Sequence, residues 1–255
     1  MKLRMLGCGT SSGVPRIGSD WGTCDPAEPK NRRTRASIMV ETANTRVLID
    51  TGPDLREQLL TANVAHLDAV IWTHDHADHC HGIDDLRQVF HHRGSPVPGY
   101  SRPATAAALE ARFAYVFQGR AGYPPTAMLT VLDSPTTIGD LRISPVDQPH
   151  GGIMSTGLRF DDDAGKSIGY ATDCNILTDD MRRMYQDLDL WVVDALRRAP
   201  HPSHPTLDEA LGWIAELAPA RAVLTHMDQS MDYASLVAML PNGVEPGYDG
   251  LEIAL

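Results

Sequence analysis

The chain has no apolar run approaching the roughly 18 residues that a membrane span needs, and Met1 to Gly13 holds no continuous apolar stretch of the secretory kind. Both absences speak against a membrane partner and lead us to expect a cytoplasmic protein. Cysteine is scarce. Cys8, Cys24, Cys80 and Cys174 are scattered, and no Cys-x-x-Cys pair is present to form a redox motif or a zinc knuckle. Reduced thiols are the simplest expectation. Positive charge is also short, with 22 Lys and Arg against 33 Asp and Glu and a formal net charge of -11. A long polyanion is repelled by that average field unless a local basic patch overcomes it, so small substrates are favoured over long nucleic acids. No repeat with a period of about 20 to 50 residues, no low-complexity tract and no long linker marks a boundary. One domain over residues 1–255 is therefore expected.

What is present is ordinary globular material: 255 residues, 42% hydrophobic and 22% charged, enough for a substantial core. Lys2 to Leu6, Ser37 to Glu41 and Arg46 to Ile49 read as strands, the last two as a hairpin about Asn44. Pro53 fits the first turn of a helix running to about Ala62. Four apolar runs, Ala69 to Thr73, Ile168 to Thr172, Leu190 to Val193 and Ala222 to Thr225, each end on a polar residue: His74, Asp173, Asp194 and His226. Several strands thus deliver ligand-type side chains to one edge of a sheet, by analogy with open α/β folds.

The decisive segment is Thr73-His74-Asp75-His76-Ala77-Asp78-His79, three histidines and two aspartates directly after a strand. Imidazole nitrogen and carboxylate oxygen bind zinc and manganese, and His74 and His76, being alternate, can point the same way from an extended loop. A lone histidine is most often just a polar surface residue; a His-x-His-x-Asp-His cluster behind a buried strand is not. A pair of divalent ions would bring about four positive charges to the place where histidines and carboxylates converge, offsetting the acidic balance.

In this motif the chain resembles the metallo-β-lactamase superfamily. The resemblance implies an α/β fold, an αββα sandwich of two mixed sheets flanked by helices. It also implies two divalent ions, zinc or manganese. One is held by His74, His76 and His150, the other by Asp78, His79 and His226, with Asp173 bridging. His150 follows the strand-like Leu141 to Val146. Asp78 is then suited to orient an attacking hydroxide generated by the metals. Asp50, after Val47-Leu48-Ile49, matches a carboxylate that supports the histidine ligands, although it could equally cap the helix after it.

The opening Leu6-Gly7-Cys8-Gly9-Thr10-Ser11-Ser12-Gly13-Val14-Pro15 is one residue too long for a dinucleotide fingerprint, and no Gly-Lys-Ser/Thr follows to make a P-loop. Together with Asn31 to Ser37 and the ending Gly247 to Ile253, it resembles the branch that contains the phosphoribosyl 1,2-cyclic phosphate phosphodiesterase of phosphonate breakdown. That likeness implies hydrolysis of a small cyclic or nucleotide-like phosphate diester. It also implies a substrate-side histidine, matched by His204 in the proline-stiffened loop Arg197 to Pro205, with His201 a weaker candidate. His204 would give a proton to the leaving oxygen. The branch's structural zinc is not expected, because only Cys24 remains in the first loop and Gln229 stands where a histidine ligand would be. Lys30, Arg32, Arg33 and Arg35 are candidate phosphate contacts, or simply a solvated run. The alternatives are a transfer-RNA 3′-end endonuclease, disfavoured by the acidic charge and the lack of a basic arm, and a non-catalytic nucleotide or metal sensor. A mono-iron dioxygenase would lack Asp78 and His79. The sequence leaves a homodimer open.

Overall fold

The computed structural model describes residues 1–255. The strands in chain order are β1 (Lys2–Gly7), β2 (Ser37–Glu41), β3 (Arg46–Ile49), β4 (Ala69–Trp72), β5 (Val97–Ser101), β6 (Ala127–Val131), β7 (Thr136–Ile138), β8 (Leu141–His150), β9 (Ile153–Asp162), β10 (Ser167–Ala171), β11 (Leu190–Asp194), β12 (Ala222–Thr225), β13 (Val244–Pro246) and β14 (Glu252–Ala254). They form two seven-stranded mixed sheets, ordered β14-β1-β2-β3-β4-β5-β6 and β13-β12-β11-β10-β9-β8-β7. The helices are α1 (Leu55–Thr61), α2 (Ala77–Cys80), α3 (Leu86–Arg93), α4 (Pro103–Arg112), α5 (Ala114–Gln118), α6 (Asp179–Met184), α7 (Leu207–Leu217) and α8 (Tyr233–Met239). This is the αββα sandwich that the motif implied. No helix is long and apolar enough to cross a membrane.

The central strands of the first sheet, β2 to β4, are buried on both faces, and they show it by period-two alternation between two cores. Leu3, Met5, Ile38, Val40, Val47, Ile49, Ala69 and Ile71 face the second sheet, whereas Leu6, Met39, Leu48, Val70 and Trp72 face α1, α3, α4 and α5. Each such aliphatic or aromatic side chain contributes about 1.5–3 kcal/mol by leaving water, so continuous apolar runs like Ala69 to Trp72 are what a doubly covered strand requires. In the second sheet β10, β11 and β12 run parallel and are wholly buried.

Two local expectations need correction. Pro53 is not in the helix: α1 starts at Leu55 with Asp54 at its N-cap position. The Asp54 carboxylate is turned to the backbone N–H and guanidinium of Arg35 and makes no side-chain cap. The strand read as ending at Val146 continues to His150.

Candidate metal centre

The C-terminal ends of β3, β4, β8, β10, β11 and β12 converge, and each is followed or ended by a polar residue: Asp50, Thr73-His74, His150, Asp173, Asp194 and His226. Asp50, Asp173 and His226 adopt left-handed backbone, with φ of 66°, 53° and 57°. A non-glycine residue pays roughly 1 kcal/mol or more for that conformation, which here turns the chain sharply off the sheet and leaves the side chain over its edge.

The histidines are held from behind. Asp50, fully buried, accepts from the Thr73 N–H (2.8 Å), the Thr73 hydroxyl (2.8 Å) and His79 Nδ1 (2.7 Å). With its proton given to Asp50, the Thr73 hydroxyl accepts from His74 Nδ1 at 3.0 Å. His150 Nδ1 donates to the Ser203 carbonyl at 2.9 Å. In all three rings the Nδ1 proton is fixed outward and Nε2 is turned inward, where the neutral imidazole offers a lone pair.

The inward atoms meet at Asp173. Its Oδ1 lies 3.5 Å from His150 Nε2, 3.5 Å from His226 Nε2 and 3.9 Å from His74 Nε2, and its Oδ2 lies 3.1 Å from His79 Nε2. Asp78 Oδ2 is 3.4 Å from His79 Nε2 and 3.6 Å from His226 Nε2, while His150 Nε2 and His76 Nδ1 are 3.3 Å apart. Ligand atoms about 2.0–2.2 Å from one tetrahedral ion stand about 3–3.5 Å from each other. His74, His76 and His150 form one group able to close on an ion; Asp78, His79 and His226 form another; Asp173 lies between them.

Burial and the converging carboxylates pull these imidazoles in opposite directions: against burial, Asp173, Asp78 and Asp50 lift His79 well above its usual value. Burial drives the His74 and His150 imidazoles toward the neutral form, His74 strongly. Burial would do the same to His226, but Asp173, with Asp78 and Asp194, overcomes it and lifts the group to about 9. Burial works against Asp173 too, yet His226 and His79 hold it well below the usual carboxylate range. Nε2 of His74, His79 and His226 is buried without any hydrogen-bond partner. An unpaired buried polar atom costs about 1–3 kcal/mol, and a divalent cation is the species that satisfies several converging imidazole lone pairs and carboxylates at once. The residues present therefore fit a divalent-metal centre.

His204 stands at the rim, with Nδ1 donating to Asp194 Oδ2 at 2.7 Å and Nε2 3.8 Å from Asp173 Oδ1. The same Asp194 oxygen accepts the Asp173 N–H at 3.0 Å. The loop that carries His204 is fixed at its far end by a reciprocal cap, Thr206 with Glu209, and within itself by Arg197 bonding the Ala199 and Pro200 carbonyls. His201 packs 5.0 Å from the His204 ring and accepts from the Ser203 N–H, outside every group that can close on an ion. His81 lies apart, against Phe113.

The basic run proves structural. Arg33 is 2% exposed and donates to the Asp228 and Met231 carbonyls, Arg35 pairs with Asp54, and Lys30 sits over the rings of Tyr233 and Tyr248. Arg32 faces Trp21. Lys30 and Arg33 pin the first loop to the segments after His226, Arg35 ties it to Asp54, and Arg32 alone of the four is exposed. Sequence reasoning noticed Asp194 only as a strand-ending acid and missed its bond to His204; Thr73 and Ser203 carried no signal at all.

The Beta-lactamase superfamily domain model matches residues 45–227. A solved diphosphatase of the PhnP family superposes with a TM-score of 0.90 at 34% identity, over 99% of this chain and 96% of that one. The chain belongs to the metallo-β-lactamase superfamily, in its PhnP branch, and is a metal-dependent hydrolase. An octanoyltransferase of Porphyromonas gingivalis is 33% identical over 99% of the chain, which spans 51% of that longer protein. Coenzyme PQQ synthesis protein B of Xanthomonas axonopodis pv. citri is 27% identical over the full length of both.

Proposed function

We propose that residues 1–255 act as one two-metal hydrolase domain for a small disubstituted phosphate, a cyclic or nucleotide-like diester or the related diphosphate linkage. His204 serves as proton donor to the leaving oxygen. The observation that carries the reading is the Asp194–His204 pair: an imidazole whose Nδ1 is engaged by a buried carboxylate and whose Nε2 faces the ligand cluster. His204 also lies close enough to His150 and Asp173, and to Asp194 and His226, to close on an ion, but the two triads assigned above are complete without it. A sensor has no use for such a group.

In this reading His74, His76 and His150 would hold one ion and Asp78, His79 and His226 the other, with Asp173 between the two groups. Bound there, zinc or manganese ions supply an activated water and a charge clamp for phosphoryl oxygens. The chain's own residues do the rest. Asp50, Thr73 and the Ser203 carbonyl fix the tautomers of His79, His74 and His150. Asp78, kept ionised by its histidine neighbours against burial, accepts a hydrogen bond from the attacking water. Asp194 keeps the His204 Nδ1 proton in place and stabilises the imidazolium, so that the Nε2 proton points at the departing oxygen. His201, beside it, is placed to touch the substrate's outer portion.

The likeness to a PhnP-family diphosphatase supports a phosphoryl substrate, and the net charge of -11 disfavours a long RNA. Turnover by metal-replete protein of bis(p-nitrophenyl) phosphate, cyclic nucleotides, ribose cyclic phosphate and a nucleotide diphosphate diester, against a phosphomonoester, a lactam and a thioester, tests it. Diesters or diphosphates should lead; preference for the lactam or thioester would overturn the assignment.

A further inference from the structure

Resting on that ligand set, we infer that Arg112, at the end of α4, is a positioning residue for the metal site built on His74, His76 and His150. Five of the imidazoles around the centre are His74, His79, His150, His204 and His226. The first four have their outer nitrogen engaged, by Thr73, Asp50, the Ser203 carbonyl and Asp194; His226 Nδ1 has no partner, but that ring is held by being fully enclosed. His76 differs: it is exposed, and its one polar neighbour is the Nε2 of His150, a partner within the same ion site. No hydrogen bond from behind fixes its ring, so its place depends on the backbone of the loop that carries it.

That loop is clamped at the residue between the two ligands. Arg112 donates through one guanidinium nitrogen to the Asp75 carbonyl and through the other to Asp75 Oδ2 at 2.7 Å. The Cys80 thiol also donates to the Asp75 carbonyl, at 3.4 Å. A planar two-nitrogen fork gripping main chain and side chain of one residue fixes both position and rotation of the peptide, which a point charge would not. Arg112 lies 37 residues from Asp75, outside the motif. Its side chain is 40% exposed, so its ion pair contributes little to global stability. Its consequence is local: it sets the direction in which His76 leaves the chain.

The test is a two-step titration of metal-loaded protein with a chromophoric zinc chelator, with unfolding of the metal-free form measured in parallel. His76→Ala identifies which step belongs to the His74–His76–His150 group; if it changes neither step, the ligand assignment itself is wrong, independently of Arg112. Arg112→Ala should weaken that same step about 10- to 100-fold, as loss of groups behind a ligand does, and leave the other step and the metal-free melting temperature unchanged. Arg112→Lys should restore little. Asp75→Asn, which keeps the backbone half of the clamp, should give a smaller loss. Both ions retained within twofold in Arg112→Ala, or both weakened equally, would overturn the inference.

Discussion

Asp194→Asn separates the charge of the Asp194–His204 pair from its geometry. Both donors, the Asp173 N–H and His204 Nδ1, point at the same oxygen, Oδ2, while Oδ1 is buried with no partner. An asparagine therefore sets its carbonyl oxygen where Oδ2 was, because its NH2 there would face the Asp173 N–H. The amide takes the empty side, the tautomer of His204 is kept and only the negative charge goes. A hydrogen bond to a charged group is worth about 1.5–3 kcal/mol against about 0.5–1.5 for a neutral one, so the protonated imidazole loses on the order of 1–1.5 kcal/mol. At about 1.4 kcal/mol per factor of ten, kcat should fall about tenfold on a diester with an alkoxide leaving group. His204→Ala should cost about 10²- to 10⁴-fold on the same substrate. On p-nitrophenyl esters, whose leaving group departs without a proton, both losses should shrink to a few-fold. Steady-state kinetics on the two substrate classes, with metal content measured on each variant, provide the assay. An equal loss on good and poor leaving groups, or loss of an ion from His204→Ala, would refute the role of proton donor.

Gly82 and Gly52 pack backbone to backbone beneath the motif: a Cβ at Gly82 would collide with the Gly52 carbonyl, and one at Gly52 with the Asp78 carbonyl. Gly82→Ala should destabilise the protein by about 1–3 kcal/mol in urea unfolding and weaken metal retention; wild-type stability would contradict this. Asp249, which belongs to none of the ligand groups, accepts from the Cys8 N–H, the Thr34 N–H and the Thr34 hydroxyl, yet burial raises its carboxyl from 3.8 to about 6. The fold binds that proton more tightly than the unfolded chain does. The stability this provides is full below about pH 4 and lost as pH rises through about 6, on the order of 3 kcal/mol. The unfolding free energy of wild type minus that of Asp249→Asn should fall by that amount between pH 4 and 7, and a flat difference would show that Asp249 ionises normally.

The strands that bring the ligands were legible because each is an apolar run covered on both faces and stopped by a His or Asp; β2, β3 and β12 have the bounds that the pattern gives. The far part of β8 was hidden by Pro145 and Pro149. Beyond Ile143 the outer edge of β8 has no partner strand, which is where a proline costs a ladder least. Arg33 fits neither reading of the basic run, phosphate contact or solvated surface, because composition cannot tell a free guanidinium from one spent on carbonyls 195 and 198 residues away. Asp194, Ser203 and Arg112 were invisible as partners for the same reason: their bonds span elements that no local period links.

Phosphoryl chemistry of the kind proposed requires two ions held by seven residues of this chain. Elemental analysis of metal-replete protein, paired with turnover of bis(p-nitrophenyl) phosphate by wild type and Asp78→Ala, tests it most directly. Close to two divalent ions per chain are expected in the wild type, and in Asp78→Ala the loss of one ion together with activity toward every ester. One tightly bound ion with full activity, or an Asp78→Ala variant that keeps turnover, would contradict it.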